Sequence, residues 1–475
     1  MIDLSSLTPQ LKDKPVIVMG LGRSGLATCR ALKAARIPYL AWDDDDEKRA
    51  QALSEGFTLG DPAKVDIKGI SFVVLSPGIP LTHPAPHPLV VRARAAGKDV
   101  ICDIELFHKA KPLAKTIGIT GTNGKSTTTA LIGHTLRVAG KKVEVGGNIG
   151  TGVLDLDDIS GQDAIYILEL SSYQLDLCLN FAPTVAILLN LSPDHLDRHG
   201  SMAGYVAAKE KILKGVGTAI IGIEDEWTKE LAKKALAAKR RQVIAVSTQE
   251  PSSIYVTSEG ILIDTTMGGE RKIADLKECK TLQGQHNWQN AASAYAVARV
   301  FGIDDKTIID AFKIFQGLAH RQNIVTTIGT VTYINDSKAT NDPAASVALK
   351  TYKNIYWIAG GKPKSDSYPD CEAQLKNVRH AFLIGEAEET MAQWLSQKGV
   401  AFTKCGTLKS ALSKAHKMAQ GGTSATATVL LSPACASFDQ FKNFEERGDT
   451  FIKYVKQLID TGDRFSRPAA GGGQS

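Results

Sequence analysis

The stretch KTIGITGTNGKSTTTALIGHTL, residues 115–136, constrains the fold more than any other part of the chain. An apolar β-branched run meets two glycines and Gly-Lys-Ser, and a helix-forming run follows, so a strand must turn sharply into a helix. Such a turn presents backbone amides and a helix N-terminus to an anion, while Lys125 adds charge and Ser126 a hydroxyl suited to Mg²⁺. Gly121, Thr122, Asn123, Gly124, Lys125, Ser126 and Thr127 are therefore the expected phosphate contacts. The spacing misses the strict G-x-x-x-x-G-K-[ST] pattern by one residue: Gly118 stands one place too early, and Ile119 occupies the position of the first glycine.

A second turn of this kind lies upstream, in PVIVMGLGRSGLATCRALKAARIPYLAWD. Gly20, Gly22 and Gly25 separate a strand from a helix, and Asp43 follows about 20 residues later, where a carboxylate can take ribose hydroxyls. Gly22, Arg23 and Ser24 are candidate diphosphate contacts. Read alone, the fingerprint fits a nicotinamide dehydrogenase, or a tight turn with no ligand at all.

Strands and helices alternate around both turns, which predicts α/β architecture with mostly parallel sheets. The strand runs are PVIVMG, YLAWD, SFVVLSPG and KDVICD, then KTIGIT, AIYILEL and TVAILLNLS, then VTYIND, IYWIAGG, HAFLIG and TVLLSPA. HKAKPLAK reads as a linker, and SSIYVTSEGILIDTTMGGERKI as a β-rich insert in the second block. The chain has 475 residues, enough for about three domains. They are expected at 1–112, 113–318 and 319–465, with a Gly-rich, disordered tail at 466–475. Lys and Arg number 56 against 50 Asp and Glu, without basic blocks, which argues against a nucleic-acid surface. No apolar run approaches the ~18 residues of a membrane span, and the N-terminus lacks a signal-peptide pattern. A cytoplasmic protein is expected. The seven cysteines form no C-x-x-C pair, so reduced, structural thiols are expected rather than disulfides or a zinc ribbon.

Individual residues stand out for their chemistry. Glu169 ends AIYILEL, where an acid is poor core material and should emerge at the strand's carboxyl edge. His195 and His199 are four apart in SPDHLDRHGS, but Pro193 and Gly200 bracket a turn or short helix rather than a zinc helix. Lys209 in YVAAKEKIL has the local pattern of an exposed helix lysine.

The segments GITGTNGKSTTT, VGGNIG, LELSSYQLD, NLSPDHLDRHGS, YVAAKEKIL, HNWQNAASA, HRQN, INDSKATN and SPACASFDQFKNFEERG resemble, in this order, the Mur ligases. The resemblance runs from about residue 16 to 451. It implies three domains: an N-terminal Rossmann-like one, a central P-loop ATPase and a C-terminal Rossmann-like one. In that family the Thr-Gly-Thr-Asn-Gly-Lys loop is the ordinary ATP site, so Ile119 ceases to be anomalous. The first glycine loop then falls to the UDP part of an acceptor, because a diphosphate looks alike whether it joins nicotinamide or an amino sugar.

The implied reaction is ATP-dependent addition of D-glutamate to UDP-N-acetylmuramoyl-L-alanine through an acyl phosphate, in peptidoglycan precursor synthesis, by a monomer. By the same resemblance, Ser126, Glu169, His195 and a Lys209 carbamylated by CO₂ hold two Mg²⁺ ions, and Lys125, Glu169, His195 and Lys209 are catalytic. Gly22, Arg23, Ser24, Asp43, Ser76, Pro77, Gly78 and Asn148 belong to the acceptor site, and Asn287 and Asn290 lie near the adenine and ribose. His320 is expected at the substrate and Arg321 and Asp336 at the nucleotide, which they reach only if the third block closes over it. Lys338, Thr340, Lys364, Ser437, Phe438 and Phe444 line the amino-acid pocket.

Two departures from the family pattern are visible. Asn323 stands where a Glu is usual after His-Arg, and GGKPKSDSYPD leaves the glutamate side-chain cation open between Lys362 and Lys364. Another Mur ligase, a folylpolyglutamate synthase and a regulatory nucleotide-binding module are the competing readings.

Overall fold

The computed structural model describes residues 1–363, 365–422 and 426–462. The chain divides into two compact units, Met1–Phe315 and Gln316–Ser475. The expected tail, and Lys364, lie outside the described residues.

The first unit contains two sheets. A four-stranded parallel sheet has the spatial order Tyr39–Trp42, Val16–Met19, Val73–Leu75, Val100–Ile101. Val16–Met19 is buried throughout, as an apolar run flanked by parallel neighbours should be. The chain reverses its direction of travel across this sheet between Val16–Met19 and Val73–Leu75, so the loops after these two strands border a crevice. Those loops carry Gly20–Gly25 and Ser76–Gly78.

A nine-stranded sheet follows, in which Lys115–Thr120 lies between Ala164–Glu169 and Val185–Leu188. Its helix Lys125–Val138 leads to the edge strand Lys142–Gly147, so the phosphate loop sits at this sheet's own reversal point. The β-rich insert supplies Ile254–Val256, Ile261–Asp264 and Arg271–Asp275. The first of these continues the parallel order and the other two pair antiparallel at the edge.

The expected linker at 108–115 is partly helical, since Asp103–Ala110 is one helix. Its Glu105 is fully buried, and the carboxylate accepts from the backbone amides of Leu179, Asn180 and Phe181. A buried carboxylate needs such donors, and these come from beside the nine-stranded sheet.

Among the described residues, the second unit has a six-stranded sheet in the order Asn323–Ile328, Val331–Asn335, Ala427–Leu431, Ile355–Gly360, Val378–Ile384, Phe402–Gly406, all parallel except the first. Ala427–Leu431 is inserted between strands that precede it in sequence. The loops after Asn335 and Leu431 therefore emerge side by side.

Candidate active site

The phosphate loop curls around its own lysine. Lys125 Nζ donates to the carbonyls of Gly121 at 2.8 Å and Thr122 at 2.7 Å. Gly124 has φ of +84°, and a Cβ there would lie 2.3 Å from Asn290 Oδ1, so only glycine fits. Asn290 is buried and also accepts from Thr128 Oγ1, while its amide donates to Asn287 Oδ1. The two expected adenine-side asparagines thus touch each other and brace the helix that begins at Lys125. Asn123 is held by Asn190, whose Oδ1 accepts from the Asn123 amide at 2.8 Å. Thr122 Oγ1 meets Tyr205 Oη at 3.0 Å. Ser126 is buried, and Thr127 partly exposed, on the first turn of the helix.

Lys209 is not the exposed residue its local pattern suggests. It is 2% exposed, and its Nζ donates to Thr120 Oγ1 at 3.0 Å and Gly121 O at 2.9 Å, over the Tyr205 ring. Lys125 and Lys209 therefore share one carbonyl oxygen. Burial, and then the neighbouring Lys125, pull the Lys209 pKa well below the lysine range, against opposition from Asp194 and Glu169.

Glu169 ends its strand at the carboxyl edge, as expected, and is buried there. Its Oε1 accepts from Asn148 Nδ2 at 2.8 Å, and its Oε2 is buried with no hydrogen-bond partner. A buried carboxylate oxygen left open is costly unless a cation or donor meets it. His195 has φ of +53° and lies half-exposed beside Asp194, its Nε2 3.4 Å from Oδ2. His199 is buried instead, with Nε2 2.9 Å from Ser172 Oγ, and burial lowers its pKa. Among the described residues, no group of three or more His, Cys, Asp or Glu side chains is gathered as a metal site.

The first glycine loop is close-packed. A Cβ on Gly25 would come 1.8 Å from the Gly20 carbonyl oxygen, which also accepts from Ser76 Oγ at 2.8 Å. Ser24 Oγ lies 3.5 Å from Ser76 Oγ. Gly22 caps the helix Arg23–Ala34. Asp43 is not simply poised for a ligand: its Oδ2 accepts from the Leu21 amide at 2.7 Å, and Lys48 lies 3.6 Å away. Arg23 reaches across to the nine-stranded sheet and donates to the carbonyls of Asn148 at 3.2 Å and Gly150 at 2.7 Å. Pro77 and Gly78 offer their carbonyls to Arg198.

In the second unit, the side-by-side loops bring together Asp336, Lys338 and Thr340 with the segment Ser432–Ser437. Asp336 is buried between Ser432 Oγ and the Gln322 amide, and burial raises its pKa to about 7 despite Arg321 nearby. His320 is buried too, its Nδ1 accepting from Asn335 Nδ2 at 3.0 Å. The Lys338 ammonium lies 5.5 Å from the centre of the Phe444 ring. Ser437 is buried, whereas Phe438 is 68% exposed. Asn323, in place of the usual Glu, donates to the Gln316 carbonyl at 3.3 Å.

The raised pKa of Asp336 has a stability consequence. Between about pH 4 and 7 the folded chain retains a proton that the unfolded chain has released, so this group's contribution falls as pH rises. Denaturant titrations should show Asp336→Asn gaining on the unsubstituted protein by about 1 kcal/mol or more at pH 8 relative to pH 5. A difference independent of pH would contradict the burial argument.

Two positions were not apparent from the sequence. Arg447 is 1% exposed and donates to Ser337 Oγ and to the carbonyls of Ser337, Cys435 and Ala436, tying together the two loops of the second unit. Arg198 does the corresponding work in the first unit. Only the Arg in HLDRHG and FEERG hinted at them, and an Arg beside acids reads as a surface ion pair. The Cys102 and Cys178 thiols are buried, hydrogen-bonded to each other at 3.8 Å and not joined in a disulfide, and Cys102 Sγ also donates to the Gln174 carbonyl at 3.3 Å.

A family profile described as the Mur ligase middle domain matches residues 119–298. The chain is 47% identical to the UDP-N-acetylmuramoylalanine–D-glutamate ligase of Phenylobacterium zucineum over 457 residues, covering 94% of this chain and 97% of that one. It is 46% identical to the protein of that name from Paramagnetospirillum magneticum, covering 96% and 98%. Among solved structures, the fold resembles UDP-N-acetylmuramate–alanine ligase MurC of Thermotoga maritima, with TM-score 0.56, 18% identity, and 94% and 99% of the two chains covered. MurF from Acinetobacter baumannii gives TM-score 0.54 at 18% identity, over 83% and 93%.

Proposed function

The chain belongs to the Mur ligase family, and from that premise we propose that it joins D-glutamate to UDP-N-acetylmuramoyl-L-alanine, with ATP, through an acyl phosphate. The observation that carries this reading is a short path of hydrogen bonds. Arg23, on the diphosphate loop, bonds Asn148, and Asn148 bonds Glu169, at the strand end beside the phosphate loop. An acceptor gripped at the first loop can thus direct its far carboxylate toward a γ-phosphate at the second. We divide the chain into an acceptor domain at 1–112, an ATP domain at 113–318 and an amino-acid domain at 319–465. It would act as a cytoplasmic monomer.

Joining a carboxylate to an amine in water is uphill, so the carboxylate is first phosphorylated, and two anions must be brought together. Lys125 offsets charge on the β and γ phosphates, while the amides of Gly121–Thr127 hold them in place. Arg23 and the Gly22 turn grip the acceptor's diphosphate. Phosphoryl transfer depends mainly on such positioning and electrostatics. The residues fit Mg²⁺: Ser126 and the open Oε2 of Glu169 are hard oxygen donors, and His195 is accessible on its turn. When bound, the ions would neutralise charge developing on the transferred phosphate.

A protonated Lys209 does not fit a metal site. Carbamylation resolves this: the neutral amine adds to CO₂, a proton is lost, and a carboxylate replaces the cation. The buried Nζ, already crowded by Lys125, suits such a change.

Lys338, Thr340, Ser437, Phe438 and Phe444 would receive the amino acid, and the side-chain carboxylate would fall to Lys364 or Lys362. D-Glutamate should be preferred over L-glutamate and D-aspartate by about 10² or more, because a pocket that pairs a lysine with one carboxylate position leaves that lysine unpaired when the carboxylate is misplaced. Phosphate release with UDP-N-acetylmuramoyl-L-alanine across D- and L-amino acids measures this. Equal use of L-glutamate would favour the folylpolyglutamate reading instead.

A further inference from the structure

We propose that Arg198 is a positioning residue that ties His195 to the Ser76–Gly78 turn, so that a divalent cation at His195 and the diphosphate end of the acceptor bind cooperatively. This rests on the metal and acceptor roles given above to His195 and to that turn.

The helix Leu196–His199 is a single turn, too short to hold its own orientation. His195 caps it with a left-handed backbone, a conformation that a non-glycine residue keeps only when its surroundings hold it there. Side-chain anchors must therefore set where the imidazole points. His199 supplies one, against Ser172 on its own side of the unit. Arg198 supplies the other and reaches the first sheet, donating to Gly78 O at 2.9 Å and Pro77 O at 3.3 Å.

Its guanidinium also lies 4.6 Å from the centre of the Tyr173 ring, and the same ring is 4.9 Å from the His195 imidazole. A continuous path therefore runs from the turn through Arg198 and Tyr173 to His195. The turn in turn belongs to the diphosphate crevice, because Ser76 Oγ bonds the Gly20 carbonyl. An acceptor that orders the turn holds Arg198 in place, and a held Arg198 lowers the cost of fixing His195 on a cation. By linkage the cation must tighten the acceptor by the same factor.

Mn²⁺ binding, followed by electron paramagnetic resonance with and without UDP-N-acetylmuramoyl-L-alanine, tests this. The acceptor should tighten Mn²⁺ by about fivefold or more in the unsubstituted protein, a usual size for coupled sites. Arg198→Lys keeps the charge and most of the stem. It should still fold, as a melting curve can verify, yet lose the coupling to within about twofold, because one ammonium cannot bridge both carbonyls and stack on the ring. Arg198→Met should behave likewise, while Tyr173→Phe, which keeps the ring, should retain the coupling. Undiminished coupling in a folded Arg198→Lys, or none in the unsubstituted protein, would overturn the proposal. Ligation by the unsubstituted protein separates the two levels: if it uses this acceptor but shows no coupling, only the positioning role fails. If it does not use the acceptor, the functional reading fails as well.

Discussion

Replacing Lys125 by alanine should lower ligation by at least ~10³-fold while the protein stays folded, a loss of roughly 4 kcal/mol of transition-state stabilisation. Lys125 donates to carbonyls of its own loop, at Gly121 and Thr122, and it is only partly buried. The fold around it rests on other contacts, including those of Asn190 to Asn123 and Asn290 to Thr128. On the proposed reading, the substitution removes the charge that would meet the β and γ phosphates as negative charge shifts between them. Coupled phosphate-release kinetics and a melting curve on the same sample give the answer, and activity within tenfold of the unsubstituted protein would falsify the assignment.

The second large effect is expected at Lys209. A free ammonium there would repel a Mg²⁺ ion by about 4 kcal/mol per unit of its charge at ~4 Å and an effective dielectric near 20, so an unmodified lysine should inhibit. If a carbamate supplies the needed carboxylate, Lys209→Ala should be nearly inactive yet partly restored by acetate or formate, small acids that can occupy the emptied space. Lys209→Arg should not respond, since its side chain fills the site with permanent positive charge. The burial of Lys209 strengthens this test, because truncation opens a space enclosed by Thr120, Gly121 and Tyr205 rather than open solvent. Full activity of Lys209→Ala without added acid would show that the residue only packs the loop.

Much of the fold was legible because it is encoded locally. Glycines at 20, 22, 25, 121 and 124 specify two strand-to-helix turns. Apolar runs of strand length between helical stretches specify parallel sheets with loops at their carboxyl ends. The candidate site shared in this: the phosphate loop, Glu169 at its strand end and the short turn after Pro193 all stand where local pattern puts them.

Sequence alone therefore determined which segments form strands, which turns can hold phosphate, and which chemistry those turns suit. Tertiary structure decided the protonation and packing of the groups that serve them. Lys209 meets Thr120 and Gly121 across 89 and 88 residues of chain, and its helix gives no local sign of that burial. Glu105 looks like an ordinary surface acid until three amides from 179–181 surround it. Asp43 is drawn to the Leu21 amide, Asp336 is sealed under Ser432, and Arg198 and Arg447 become clamps, each through partners remote in sequence. The physical reason is common to all of them. Backbone geometry depends on neighbours a few residues away, whereas the cost of burying a charge depends on which distant donors and acceptors the finished fold brings within hydrogen-bond reach.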